Sequence, residues 1–290
     1  MSRLYIHSAS AFIGEANADI NLLKEELRRY ARENFRRVNR FILLALLGAR
    51  KCIHGQVLDA DTAIYLTTEH GNLGDTAAVL DEIYGAHSLP KPFSFINTMS
   101  NTAAFYIAQN LSARGRNITV SSQRLSFERG IDLLTVDFAA GVERSALIGG
   151  VDMASLSGAG GEDRDSRGWR MVDGSGWFYI RPEREDACGV FRGNRSFRDG
   201  ATCLQWIRKR GELPADMVAF GASIGDDEAD RWREALHPAA GFDYLGDYGY
   251  SGSAAACGIG MFVKNFQGRT LLHINRDPRG NYVLLEVEVF

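Results

Sequence analysis

Cysteine is sparse, and what there is stands apart. Cys52, Cys188, Cys203 and Cys257 form no CxxC pair and have no histidine at zinc-ligand spacing, which excludes a disulfide framework and a zinc motif. They read as small buried hydrophobes. No charge dominates: 33 Lys and Arg face 36 Asp and Glu, a formal net charge of -3. Without a broad basic field, nucleic acid is not an expected partner. No apolar stretch is long enough to span a bilayer, and the start, Met1 to His7, is strand-like rather than a charged head before an apolar core. A reducing cytoplasm is the expected setting. The six histidines, His7, His54, His70, His87, His237 and His273, are scattered singly and suit structural or surface roles, with His70 the one to watch. Gly158-Ala-Gly-Gly161 follows no clear strand and opens no apolar helix, so it makes a poor dinucleotide loop. Gly174-Ser-Gly176 and Ser251-Gly-Ser253 lack the G-x-S-x-G frame and a histidine partner. No cofactor or metal is expected.

What is present is a chain of 290 residues, 45% apolar and 24% charged, enough for one large core or two fused ones. Leu4 to Ala9 reads as a buried strand and Ile20 to Arg50 as a long helical region. Its first part carries Arg28, Arg29, Arg32, Arg36, Arg37 and Arg40, and its second part is the apolar run Phe41 to Leu47. The arginines suit an acidic partner, or simply a solvated face. Strands follow at Thr62 to Thr68, Asn117 to Ser121 and Ser145 to Gly150, and helices at Asn72 to Tyr84, Met99 to Leu111 and Ser126 to Ala139, the last stopped by Gly141. Ser88 to Pro92 reads as a loop ending at a proline. After the Gly- and Ser-rich 155–168, strands at Trp177 to Arg181, Met217 to Phe220, Leu271 to Asn275 and Tyr282 to Val289 alternate with helices at Arg198 to Arg210, Asp226 to Leu236 and Gly252 to Phe266. The alternation predicts a layered α/β protein with a half over 1–154, a half over 169–290, and 155–168 connecting them.

Four patterns, in order along nearly the whole chain, resemble the β-ketoacyl synthase branch of the thiolase superfamily. Pro92-Phe-Ser-Phe-Ile-Asn-Thr-Met-Ser-Asn101 looks like the segment entering that family's dimer-interface helix. Ile118 through Gly141 to Ala146-Leu-Ile-Gly-Gly-Val-Asp152 resembles the nucleophile strand, its helix and the strand ending in two glycines and an acid. Val172-Asp-Gly-Ser-Gly-Trp177 looks like a glycine-rich turn opening the second half, and Gly249-Tyr-Ser-Gly-Ser-Ala-Ala-Ala256 like the start of the family's glycine-histidine-threonine-glycine-alanine helix. The resemblance implies a thiolase-like fold, layered α-β-α-β-α from two similar halves.

A condensing synthase of that family needs a cysteine thiolate, two histidines and usually a lysine, because thiolate is both nucleophile and leaving group and imidazole N–H groups stabilise the enolate. Under the resemblance the nucleophile position falls on Arg124, or on Gln123 after a one-residue slip. The first histidine falls on Phe220, the second on Tyr250, and the lysine near Leu245. The closing gate loop corresponds to Asn275-Arg-Asp-Pro-Arg-Gly-Asn281. The implied role is a non-condensing KSβ, or chain length factor, of a type II polyketide system, where glutamine often replaces the cysteine; the compact size suits systems making aryl-polyene-like pigments. Implied partners are an active cysteine-bearing β-ketoacyl synthase and an acyl carrier protein, with Arg36 and Arg37 candidates for carrier docking. His70, Phe93, Phe95, Met99 and Phe105 are candidates to line the acyl tunnel. Two alternatives stay open: an altered chemistry, decarboxylase or acyl transferase, using Tyr250, Gln123 and Ser121 or Ser122, and a homodimeric acyl-binding scaffold.

Overall fold

The computed structural model describes residues 3–16, 18–31, 38–154, 167–210, 215–236 and 239–290. The strands are β1 (Leu4–Glu15), β2 (Ala63–Thr67), β3 (Asn117–Val120), β4 (Ala146–Asp152), β5 (Val172–Arg181), β6 (Gly189–Phe197), β7 (Met217–Phe220), β8 (Ala240–Gly241), β9 (Thr270–Arg276) and β10 (Tyr282–Val289). The helices are α1 (Ile20–Arg28), α2 (Arg40–Cys52), α3 (Leu73–Leu80), α4 (Pro92–Asn97), α5 (Asn101–Leu111), α6 (Ser126–Ala139), α7 (Gly200–Lys209), α8 (Asp226–Ala235), α9 (Tyr244–Tyr248) and α10 (Ala254–Asn265).

The strands form one sheet in the order β3-β2-β4-β5-β1-β6-β10-β9-β7-β8. The order is the same read inward from either end. β2 pairs parallel with β3 and β4, and β5 antiparallel with β4 and β1. The second set repeats this sign for sign: β7 is parallel to β8 and β9, and β10 antiparallel to β9 and β6. The two sets meet at a short β1–β6 ladder, Leu4 to Ile6 against Phe191 to Gly189. β5 pairs with β4 and β1, so the repeat in strand order divides between Arg181 and Gly189, whereas the sequence placed the seam at 155–168. Of that connector, 155–166 lies outside the described residues.

Side chains alternate across each strand and sort into layers. Ile148, Phe178, Ile180, Leu285 and Val287 join α6 and α10 in a central core. Leu147, Val151, Trp177 and Tyr179 face α2 and α5 on one side. Leu272, Ile274 and Leu284 face α7 and α8 on the other. These are the five layers of a thiolase-like fold. α2 is buried without a break from Phe41 to Ala49, as expected of a helix apolar all round and enclosed on every side.

Several elements differ from the sequence expectation, each for a local reason. The long early helix is two: α2 has its own N-cap, Asn39, whose Oδ1 accepts from Ile42 N at 2.9 Å. Arg36 and Arg37 lie outside the described residues. The proline expected to end a loop instead starts α4, where its missing N–H costs nothing. The expected glycine-rich turn at Val172 to Trp177 is the start of β5. Its glycines serve helix–strand approach: a Cβ on Gly174 would lie 2.3 Å from Ser251 Oγ, and one on Gly176 2.6 Å from the Ala256 carbonyl.

Candidate functional site

Between β3 and α6 the chain turns sharply at Gln123, whose φ of 50° lies in the left-handed region that non-glycine residues seldom occupy. Local bonds hold the turn. Ser126 Oγ donates to Gln123 O at 2.5 Å and accepts from Ser122 N at 2.9 Å, while Leu125 N reaches Ser122 O at 3.1 Å. Gln123 is thereby presented at the surface and Arg124 turned inward, half-buried.

A second turn, after β2, faces it. Buried Asp152 at the end of β4 accepts from Thr68 Oγ1 at 2.8 Å, from Glu69 N at 3.0 and 3.1 Å, and from His70 N at 3.0 Å. Burial raises the Asp152 carboxyl above its ordinary range, and those donors oppose the rise. The clamped turn projects the Glu69 carboxylate, 11% exposed, toward three groups. Tyr250 OH donates to Oε2 at 3.2 Å, Arg124 Nε stands 4.0 Å from Oε1, and His70 Nε2 stands 4.0 Å from Oε2. The Arg124 guanidinium lies 5.7 Å from the centre of the Tyr250 ring and donates to Ala222 O at 3.2 Å. Burial first, then the Glu69 charge, raises the Tyr250 hydroxyl, so it stays a proton donor. The arrangement gathers a phenol, an imidazole and a guanidinium around one carboxylate, a set able to move a proton or orient a polar carbonyl.

Behind this cluster lies a buried polar chain that the sequence did not single out as a unit. Asn275 Nδ2 donates to Glu128 Oε1 at 2.8 Å and to Arg124 O at 3.0 Å. His273 Nδ1 is 3.7 Å from Glu128 Oε1, and its Nε2 pairs with Tyr244 OH at 2.9 Å. Burial pushes Glu128 up to about 7 and His273 down to about 4, so both favour the neutral form. The only sequence trace of Glu128 is a charge on the inward stripe of an amphipathic helix. Glu69 was missed, and Asp152 was marked only as the acid ending its strand, because what joins them is backbone N–H capture, which no side-chain spacing reveals.

The remaining expected positions divide. Phe220 packs with the outer core beneath the Arg233 guanidinium, 5.4 Å from its ring, so its side chain is not brought to the Glu69 cluster, although the chain just beyond it supplies Ala222 O. Phe93, Phe95, Met99 and Phe105 are 51%, 58%, 49% and 58% exposed, which removes core packing as their role. With Leu73, Leu80, Ile83, Tyr84, Leu89 and Ile96 they make the stretch from α3 to α5 rich in exposed large hydrophobic side chains. Among the described residues no helix is long and apolar enough to cross a membrane, and none group as a metal site.

No family model matches the chain, and no curated protein does. Solved structures do. The ishigamide ketosynthase/chain length factor superposes with a TM-score of 0.74 at 15% identity, covering 99% of this chain and 99% of that one. AntDE:AntF, a type II polyketide synthase acyl-carrier protein in complex with its ketosynthase bound to the hexaketide, gives 0.70 at 12% identity over 100% and 99%. The 3-oxoacyl-[acyl-carrier-protein] synthase III from Aquifex aeolicus VF5 gives 0.62 at 15% over 98% and 99%. The chain therefore has the thiolase-like fold that these ketosynthases and chain length factors share, along its whole length.

Proposed function

We propose that this protein is a non-condensing ketosynthase-like subunit, a chain length factor, that pairs with an active cysteine-bearing β-ketoacyl synthase and shapes the acyl tunnel of a type II polyketide system. The observation that carries the reading is the turn at Gln123. Its left-handed backbone, at the tip between strand and helix, supports assigning the nucleophile position to Gln123 rather than Arg124, and an amide forms no thioester. Under the resemblance Phe220 and Tyr250 take the two histidine positions, and Phe220, packed in the outer core, brings no proton donor to the Glu69 cluster. The four cysteines support the reading too: burial pushes the thiols of Cys52, Cys203 and Cys257 up to about 12 and raises that of Cys188. None is poised to ionise.

The exposed apolar residues from α3 to α5 support a partner-facing surface there, and under this reading Phe93, Phe95, Met99 and Phe105, with His70 on the neighbouring turn, line the tunnel. Arg36 and Arg37 keep their proposed part in docking an acidic acyl carrier protein, and the setting is the cytoplasm. The neighbours' own names, two of them ketosynthase complexes with a chain length factor or an acyl carrier protein, support this pairing. Co-expression with a cysteine-bearing β-ketoacyl synthase tests it: a stable heterodimer that makes product only when both chains are present is expected. Condensation by this chain alone would overturn it.

A second reading, an altered chemistry at the same place, is favoured by the Tyr250–Glu69 hydrogen bond with His70 close by. It requires carbon dioxide release from a malonyl thioester by this chain alone, abolished by Tyr250→Phe.

A further inference from the structure

Positive charge is concentrated on β6 and α7. From Arg192 to Arg210 the chain carries six of its 33 cations and one of its 36 anions, so this segment is net +5 and the rest of the chain net -8. The anion, Asp199, caps α7 by accepting from Thr202 N at 2.7 Å. All six cations, Arg192, Arg195, Arg198, Arg208, Lys209 and Arg210, are exposed. Two are answered from β10: Arg192 Nε is 2.6 Å from Glu288 Oε2, and Arg210 pairs with Glu286. The other four have no carboxylate at ion-pair distance.

Trp206 organises the middle of this face. The guanidinium groups of Arg195 and Arg210 lie 4.8 and 4.7 Å from its ring, and the Phe197 ring lies 5.7 Å away. Stacking engages the face of a guanidinium and leaves its in-plane N–H donors for an anion. The same two arginines, with Arg192, line a cavity of ≈ 130 Å³ whose apolar floor is Leu4, Ile131 and Phe191, all buried. An apolar cavity of about 150 Å³ accepts a benzene-sized group, so this one has room for a single apolar side chain.

We infer that this face docks an acidic segment of a partner protein, one with clustered Asp or Glu and an apolar side chain that enters the cavity. Five of the six cations are arginines, whose forks match carboxylates. An apolar pocket beside a tryptophan, rimmed by charge, has the anatomy of an interface anchor. Duplex DNA or an anionic bilayer would spread past the face onto a chain that is net negative, whereas a protein segment can confine its charge to the face. The inference goes beyond the subunit's proposed role and holds whether or not the chain pairs with a synthase.

Fluorescence anisotropy of the full-length chain with a short labelled peptide, glutamates around one central leucine, tests it. Saturable binding is expected, weakened about tenfold or more when glutamines replace the glutamates, and severalfold when serine replaces the leucine. Arg195→Glu and Lys209→Glu should each weaken it with unchanged melting, and Arg114→Glu, exposed elsewhere, should not. Gly193 lines the cavity, and a Cβ added there meets nothing within 4 Å. Gly193→Leu should therefore fold, plug the cavity and make the leucine and serine peptides bind alike. A glutamine peptide that binds as tightly, or affinities untouched by both charge reversals, would overturn the inference. So would a leucine preference that survives Gly193→Leu, or tighter binding of duplex DNA or phosphatidylglycerol vesicles than of the peptide at the same ionic strength.

Discussion

Tyr250 donates its hydroxyl to Glu69 Oε2 across 3.2 Å, tying the segment before α10 to the turn after β2, 181 positions away in sequence. A hydrogen bond to an ionised acceptor is stronger than a neutral one, and Glu69 is held for it by Asp152. A double-mutant cycle of Tyr250→Phe and Glu69→Gln, read by urea unfolding, should show a coupling of about 0.5–2 kcal/mol. Additive losses would mean that the pair does not join the two segments.

Gln123 at the tip of the turn predicts a gain by substitution. Gln123→Cys should take up one acyl group from an acyl thioester, seen by intact mass, while Arg124→Cys and the unaltered chain take up none. Equal labelling at 124 would shift the nucleophile position by one residue.

The exposure of Phe95 and Met99 separates tunnel from core. In the isolated chain, alanine at either should change stability by less than about 0.5 kcal/mol, against about 2–5 kcal/mol for emptying a closed core site. In the assembled pair the same variants should lengthen the polyketide with melting preserved. Wild-type product length from every such variant would show that this subunit does not measure the chain.

Glu128 and His273 set opposing pH dependences. Glu128 has its folded pKa raised from 4.5 to about 7, so its contribution is fully present below 4.5 and lost as pH rises toward 7. His273 has its folded pKa lowered from 6.5 to about 4, so its contribution is present above 6.5 and lost as pH falls toward 4. Glu128→Gln removes the first alone. The stability difference between variant and wild type should therefore climb with pH from 4.5 to 7, by on the order of 3 kcal/mol, in unfolding titrations. A flat difference would place the proton elsewhere.

The layered alternation and most strands were legible because period-2 and period-3.6 patterns are local. So was the burial of α2, since Phe41 to Leu47 admits no solvated face. What was not legible depended on packing against distant residues. Gly174 and Gly176 look like a turn until α10 lies across them. β6, missing from the sequence reading, is buried only at Gly189 to Phe191, and its later residues alternate weakly. The site divides the same way: Gln123, Arg124 and Tyr250 could be located by order along the chain, but Glu69 enters only through donors converging on Asp152.

The inward-reading strand order leaves the two ends of the sheet unequal. β3 ends it with four residues paired on one side only, while β8, at the far end, is two residues long. One end can receive a strand and the other is too short to template one. Were two chains to meet through β3 about a two-fold axis, the pairing would use up the longer free edge of each, and the assembly would close at two copies or one copy and a look-alike. Such closure would guard a sheet this wide against growing into a filament.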